Sequence, residues 1–370
     1  MKILYTNFHS SPNINGHTTY ITTLSRNLIT KHSVHVATPP GSALHRIANE
    51  IDGVIVHDMT FYSRLYRLPS CASRLRSLIV KEDFDVIHVN GSADHKIAMV
   101  ATRFMKRKPK IVFTKHNDMP VKFWGSFIRS RFGTDAVIAV CAHVENILQN
   151  SPYGKQTIFK VLNGISTDHY APVSEEQKTE MRLRLFGSQH THKIIIGSNA
   201  GTSDYKNWMD MVRAVSSLDP MRRNLFHVAI AGGAITSEDL REIEKLGMLA
   251  SFTYAGMLDD VRCFISSIDI GFVLSSRVET ISFACREMMS CAKPVIVAAY
   301  SGLPENITEG KDGWVVGVNS TAEVSRILSE IADQKFDFIK MGLEARGKAQ
   351  REFGLNRFIR KTEDIYMVEQ

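Results

Sequence analysis

Short apolar runs separated by amphipathic stretches fill the first half of the chain, at Lys2–Asn7, Val34–Ala37, Val54–Val56, Val86–Val89, Ile111–Thr114, Ala136–Val140 and Phe159–Leu162. Runs this short, continuous rather than alternating, read as strands buried on both faces. Between them, Tyr20–Leu28 sets Ile21, Leu24 and Leu28 at helical spacing, and Leu65–Ile79 does the same with Leu68, Cys71, Leu75 and Leu78. Strand and helix in repetition predict a parallel sheet covered on both faces. A second series begins near Glu175, with strands predicted at Ile194–Gly197, His227–Ala231, Phe252–Tyr254, Ile270–Leu274, Pro294–Val297 and Trp314–Val316. Helices are predicted between them, including Trp208–Leu218 and Val261–Ser267, and after Gly354 a last helix runs over Leu355–Val368.

The chain therefore reads as α/β with two doubly wound domains, 1–170 and 171–354, joined where Asn163-Gly-Ile-Ser-Thr-Asp-His-Tyr-Ala-Pro172 supplies turn residues. Its 370 residues are enough for both cores. No apolar run approaches the ~20 residues of a membrane span, and Met1-Lys-Ile-Leu-Tyr-Thr-Asn7 reads as a first strand, so a cytoplasmic protein is expected. Five scattered cysteines at 71, 141, 263, 285 and 291 suit reduced thiols and make no metal-ligand spacing. The net charge of +7 comes from the first half, with clusters at Arg64, Arg67, Arg74 and Arg76, at Lys106-Arg-Lys-Pro-Lys110, and at Lys122, Arg129 and Arg131. Aromatics interleave with them in Phe61–Leu68 and at Phe123-Trp124. Such a surface fits either a solvated charged face or an anionic membrane. No nucleic-acid module accompanies the charge, so nucleic acid is not expected as a partner.

Candidate chemistry concentrates in Ser275-Ser-Arg-Val-Glu279-Thr-Ile-Ser-Phe-Ala-Cys-Arg-Glu287. Here a buried strand ending at Leu274 passes into a helix over Phe283–Cys291, and the two glutamates bracket that helix start. Open backbone N–H groups and the positive dipole end there favour phosphate, while a carboxylate a turn further in can hold sugar hydroxyls. This segment resembles the retaining glycosyltransferases of family 4, with their Glu-x7-Glu motif. Cys291-Ala-Lys-Pro-Val-Ile-Val297 and Ser301-Gly-Leu-Pro-Glu305 are similar to the segments that follow the motif in that family.

The resemblance implies a GT-B fold, in which two Rossmann-like domains face each other across a cleft and the C-terminal segment 355–370 returns to the first. It implies that Glu287 accepts hydrogen bonds from the donor ribose and that Glu279 lies beside the sugar and diphosphate, with backbone N–H groups of Ile281, Ser282 and Phe283 facing them. Lys206 matches the family lysine that neutralises the leaving diphosphate. Nothing near Gly201 and Thr202 matches the accompanying arginine, for which Arg286 or Arg277 could substitute. His116 matches the histidine that touches the sugar from the first domain, with Asp118 close enough to orient it or meet the acceptor. Gly16 and Asn15 take the place of a Gly-Gly pair near the diphosphate, and the loop through Gly256, Met257 and Leu258 takes that of the base-binding loop. Where the family has Gly-Phe-Gly, this chain has Thr280-Ile-Ser282. Ligands of open α/β sheets bind at the carboxyl ends of strands, and all these positions follow predicted strands.

The activity implied is transfer of a sugar from a nucleoside diphosphate sugar to a glycan or glycolipid, such as a bacterial lipopolysaccharide or surface polysaccharide. Peripheral contact with the inner face of the cytoplasmic membrane would go with it. Neither a cofactor nor a metal is expected: Asp83-Phe-Asp85 mimics a metal-binding Asp-x-Asp but precedes a strand, at the wrong end of the sheet. Two other readings stay open, a sugar-nucleotide epimerase of the same fold and a non-catalytic membrane-associated binder. Asn13-Ile-Asn-Gly16 lacks the Gly-x-Gly-x-x-Gly of a nicotinamide oxidoreductase.

Overall fold

The computed structural model describes residues 1–62 and 64–368, and of Leu65 the backbone alone. Ser63 lies outside the described residues, as do Glu369 and Gln370 of the expected returning segment. The chain forms two compact units, the first comprising Met1–Asn163 and the chain from Asn356 on, the second Gly164–Leu355.

In the first unit, strands β1 (Lys2–Thr6), β2 (Ser33–Thr38), β3 (Ile55–Asp58), β4 (Val86–Val89), β5 (Lys110–Lys115), β6 (Ala136–Ala139) and β7 (Ile158–Lys160) build one parallel sheet in the order β3-β2-β1-β4-β5-β6-β7. The second unit builds another from β8 (Ile194–Ser198), β9 (Phe226–Ile230), β10 (Phe252–Tyr254), β11 (Ile270–Val273), β12 (Val295–Ala298) and β13 (Gly313–Val316), in the order β10-β9-β8-β11-β12-β13. Each expected strand is present within two residues of its predicted bounds. In both sheets the strand order reverses once, at β1/β4 and at β8/β11. Loops diverge there and leave a crevice at the carboxyl ends of the strands.

Two helices depart from the expected pattern. The first runs Gly16–Leu28 rather than from the expected Tyr20, because Asn15 Oδ1 accepts from Thr18 N–H at 3.0 Å and caps the helix at Gly16. The Leu68–Glu82 helix, preceded by a 3-10 turn, buries Ala72, Leu75 and Ile79. Its inner face is thus turned by about a residue from the expected Leu68, Cys71, Leu75 and Leu78, since the small Ala72 fits against the unit while the Cys71 thiol turns toward Thr60 O.

The Leu355–Met367 helix packs on the first unit, as expected. Tyr366 Oη meets Tyr5 Oη at 3.1 Å and His88 Nδ1 at 2.6 Å, and Glu363 meets His32 at 2.9 Å. Lys110 Nζ donates to the carbonyls of Ile365 and Val368, both at 2.6 Å, where a cation complements a helix C-terminus. Where the chain passes between units its two crossings run side by side: Ile165 N–H donates to Phe353 O at 2.8 Å and Leu355 N–H to Ile165 O at 2.9 Å.

Buried imidazoles give the first unit a pH dependence. Burial pushes His17, His88 and His95 down to about 3, and His116 well below its usual range. These rings are neutral in the fold but take up protons below about pH 6.5 once unfolded, so the unfolded chain binds more protons and stability falls with pH. For the fully buried His88 and His95 the loss by pH 5 is about 2 kcal/mol each. Asp94 opposes this: burial raises it to about 7, so its contribution is lost as pH rises toward 7. One carboxyl does not cancel four imidazoles. The urea midpoint of the first unit, followed by circular dichroism, should therefore drop between pH 7 and pH 5; a constant or rising midpoint would refute this.

Candidate active site at the sheet switch points

In the second unit the loops after β8 and β11 are neighbours because their strands are. Asp204–Lys206 forms a 3-10 turn after β8, while Ser275–Ser282 carries the chain from β11 into the Phe283–Ser290 helix. Ser276 N–H donates to Tyr205 O at 2.8 Å and locks the two loops together. Lys206 Nζ thereby lies 2.6 Å from Glu279 Oε2, with side chains only 15% and 13% exposed. Ser275 Oγ supports the same carboxylate oxygen at 3.4 Å. An ammonium has three N–H donors, and this contact uses one of them.

Glu287 sits one helical stretch further in. Asn199, directly after β8, donates its Nδ2 to Glu287 Oε2 at 2.8 Å, and the Tyr170 hydroxyl faces the same carboxyl. Burial pushes the Glu287 carboxyl above its ordinary range and raises the Tyr170 phenol. Among the described residues, Asn199 Oδ1 and Ser301 Oγ are buried without a protein hydrogen-bond partner.

Backbone geometry completes this edge. Thr202 Oγ1 donates to Gly233 O at 2.7 Å, which commits its proton to the loop after β9, and Trp208 Nε1 donates to Thr202 O at 3.1 Å. Gly256, with φ of 75°, turns the loop after β10, where Gly256 O accepts from Gly232 N–H at 2.9 Å. Leu258 is half-buried, and Met257 is 76% exposed. Ile281 is buried and its carbonyl accepts from Asn306 Nδ2 at 2.7 Å, which pins the loop before the helix. Phe283 is the first helical residue, and Ser282 caps the helix by accepting from Cys285 N–H at 3.3 Å.

Ser282, which stands where the resemblance would place a glycine, and Ser301 adopt φ of 49° and 51°. Both are side-chain-bearing residues held at positive φ, which glycine adopts without strain.

The first unit has its own polar cluster at its switch point. Asp94 accepts from Thr6 Oγ1 at 2.7 Å and from Asn90 N–H at 2.8 Å. Asn90 Nδ2 donates to the carbonyls of Thr6 and His88, so its Oδ1 faces His116 Nε2, 2.9 Å away. Nε2 therefore carries the proton and the neutral ring keeps Nδ1 as an acceptor. The His116 ring lies 4.2 Å from that of His17, which lies 4.6 Å from that of His9. Asp118, two residues beyond His116, is half-buried. Apart from its chain neighbours and its own helix backbone, no atom of the described residues lies within 4 Å of the Cβ that Gly16 lacks, so a side chain there would meet open space.

With this geometry in view, residues 14–169 match the family described as Glycosyltransferase Family 4, and residues 191–334 match Glycosyl transferases group 1. The chain belongs to the family 4 glycosyltransferases. It is 24% identical over 375 residues to the N-acetyl-alpha-D-glucosaminyl L-malate synthase of Bacillus anthracis, covering 96% of this chain and 94% of the relative. Among solved structures, a glycosyltransferase from Rickettsia africae superposes with a TM-score of 0.86 at 19% identity, over 99% of this chain and 97% of that one. HepE of Anabaena, solved in complex with UDP, gives 0.83 at 16% identity over 99% of both chains, and its complex with UDP-glucose 0.78 at 17% over 100% of both. These likenesses place the fold as GT-B.

One expectation for this glycosyltransferase needs correction. Arg286 is no substitute for the missing arginine: it is 1% exposed, donates from Nε to Asn306 Oδ1 at 2.9 Å and stacks 4.1 Å from the Phe353 ring. Arg277 is exposed beside Val278. Sequence reasoning gave no role to Tyr170, Asn90, Asp94 or His17. Of these, Tyr170 was signalled by its place in the Asn163–Pro172 turn, and Asn90 by a polar residue directly after a strand.

Ser282 yields a stability test. Ser282→Ala removes the cap at a cost of about 1 kcal/mol while leaving the left-handed strain. Ser282→Gly loses only a few tenths of the cap and relieves strain of about 1–2 kcal/mol, less about 0.5–1 for a looser unfolded chain. Chemical denaturation should rank Gly at or above wild type and Ala below both; an Ala variant as stable as the Gly variant would disprove the strained cap.

Proposed function

We propose that this glycosyltransferase moves a sugar from a nucleoside diphosphate sugar to a hydroxyl of a glycan or glycolipid, with retention of the anomeric configuration and without a metal. The observation that carries the reading is the Lys206–Glu279 contact at 2.6 Å, beside a helix start and at the carboxyl edge of the sheet. An ammonium held by a carboxylate is preoriented for an incoming anion, and a fixed charge stabilises a leaving diphosphate at little reorganisation cost. Glu279 would lie at the sugar, Glu287 would take ribose hydroxyls, and the backbone of Ile281, Ser282 and Phe283 would meet phosphate or sugar. Thr202 and the Gly256–Leu258 loop would border the nucleotide.

For the first unit, neutral His116 is read as a partner for a substrate hydroxyl and Gly16 as room for close approach of an anion, with Asn15 and Asp118 toward the acceptor. The open space at Gly16 supports this, as does the proton placement on His116. In the proposed mechanism the diphosphate departs, the acceptor attacks from the same face, and a phosphate oxygen takes the acceptor proton. Metal independence is supported by the fate of Asp83 and Asp85. Both pair with Arg107, and Asp85 Oδ2 accepts from Lys2 N–H at 2.8 Å, so the Asp-x-Asp is a structural staple. The acceptor proposed is a bacterial lipopolysaccharide or surface polysaccharide intermediate at the cytoplasmic side of the membrane, in keeping with the basic first unit.

A UDP-hexose is the first donor to try, since HepE was solved with UDP-glucose. A matching donor at about 100 times its Kd should stabilise the chain by about 2.7 kcal/mol in a thermal-shift screen of UDP, GDP and ADP conjugates. Transfer should survive EDTA and yield the anomer of the donor, read by NMR. Lys206→Ala should lower kcat/KM by about 10²–10³-fold, as loss of a charge-stabilising donor does. Conversion of the donor sugar with no acceptor present would instead establish an epimerase.

A further inference from the structure

The Phe123–Phe132 helix is inverted. Its buried residues are Ser126 and Ser130, while Phe123, Trp124, Phe127, Ile128 and Phe132 are exposed, Trp124 by 76%. Both hydroxyls are satisfied within the segment: Ser126 Oγ donates to Lys122 O at 2.6 Å and Ser130 Oγ to Phe127 O at 3.0 Å. The small serines let the helix lie close on the unit, and the i, i+4 pairs Phe123/Phe127, Trp124/Ile128 and Ile128/Phe132 line up in solvent. A contiguous apolar surface of this kind marks an interaction site rather than chance exposure.

Beside it lies an apolar groove of about 330 Å³, lined by Met99, Val100, Arg103, Ile128 and Phe132. The Arg103 guanidinium stands at its lip, 5.0 Å from the Phe104 ring and 4.7 Å from the Phe132 ring. Exposed Lys122 precedes the helix, exposed Arg131 lies in its last turn, and Lys106 lies in the loop beyond Arg103. Between Ala101 and Thr134 the chain carries a single carboxylate, Asp118, while Arg107 and Lys108 are neutralised by Asp83, Asp85 and Asp135.

We propose that this face seats the protein on an anionic phospholipid bilayer. The aromatic rows enter the headgroup region, an acyl chain occupies the groove against Met99 and Ile128, and Arg103 meets a lipid phosphate. Charge selects this occupant. A second copy of the face would bring cations against cations, whereas an anionic leaflet supplies the opposite sign, and each Lys or Arg adds about fivefold to partition. Trp and Phe beside Arg and Lys are the side chains that favour the boundary between headgroups and acyl chains. The inference uses the first unit alone and does not depend on the donor chemistry.

Of the three tryptophans, Trp208 and Trp314 are 4% and 3% exposed, so a change in emission on binding reports Trp124. Phosphatidylcholine vesicles containing phosphatidylglycerol should shift the emission of the full chain to the blue and carry it down on sedimentation, less so as salt is raised. Phe127→Ser with Ile128→Ser, both at exposed positions and with the reporter intact, should lower partition by at least about tenfold, circular dichroism being unchanged. No shift and no co-sedimentation would overturn the proposal, and so would equal binding to pure phosphatidylcholine. A blue shift that grows with protein concentration in lipid-free buffer, with a dimer in sedimentation, would assign the face to a second copy and overturn it as well.

Discussion

The contact between Lys206 and Glu279 joins residues 73 positions apart that meet only because β8 and β11 are adjacent in the sheet. Mostly withdrawn from water, each charge needs the other, since a single buried charge left without its partner is strongly destabilising. Holding them at 2.6 Å takes rigid loops on both sides. The Ser276 bond to Tyr205, the Thr202 bond to Gly233 and the Asn306 bond to Ile281 supply that rigidity. The cost is carried in part by Ser282, whose backbone is strained while its side chain caps the helix.

The first unit solves a parallel problem with neutral groups. At the β1/β4 reversal, Thr6, Asp94, Asn90 and His116 form a chain in which each partner fixes the orientation of the next. Because Asn90 spends both amide protons on carbonyls, the tautomer of His116 follows from hydrogen-bond accounting alone. Desolvation keeps the surrounding imidazoles uncharged, so one unit offers a fixed ammonium and the other a set of neutral donors and acceptors. The two edges are chemically unlike although their strand orders share one pattern, which is how a repeated scaffold can host different roles.

Much of this was legible beforehand. Hydrophobic runs located every expected strand, since a strand buried on both faces writes itself as a local apolar block. The motif from Glu279 to Glu287, with its following segments, pointed to the loop where charge gathers, because helix starts and strand ends are local features too. Asp83 and Asp85, set aside by their position before β4, staple Arg107.

What the chain by itself determined, then, is everything that depends on neighbours a few residues away: element type, layer order and the loops that follow strands. Partner choice was decided by the fold. That Arg286 would be sealed against Phe353, that Tyr170 would reach Glu287, and that the Phe123–Phe132 helix would bury its serines all rest on long-range packing. Periodicity reports that a helix has an apolar face, but only the surface it lies on determines whether that face turns inward.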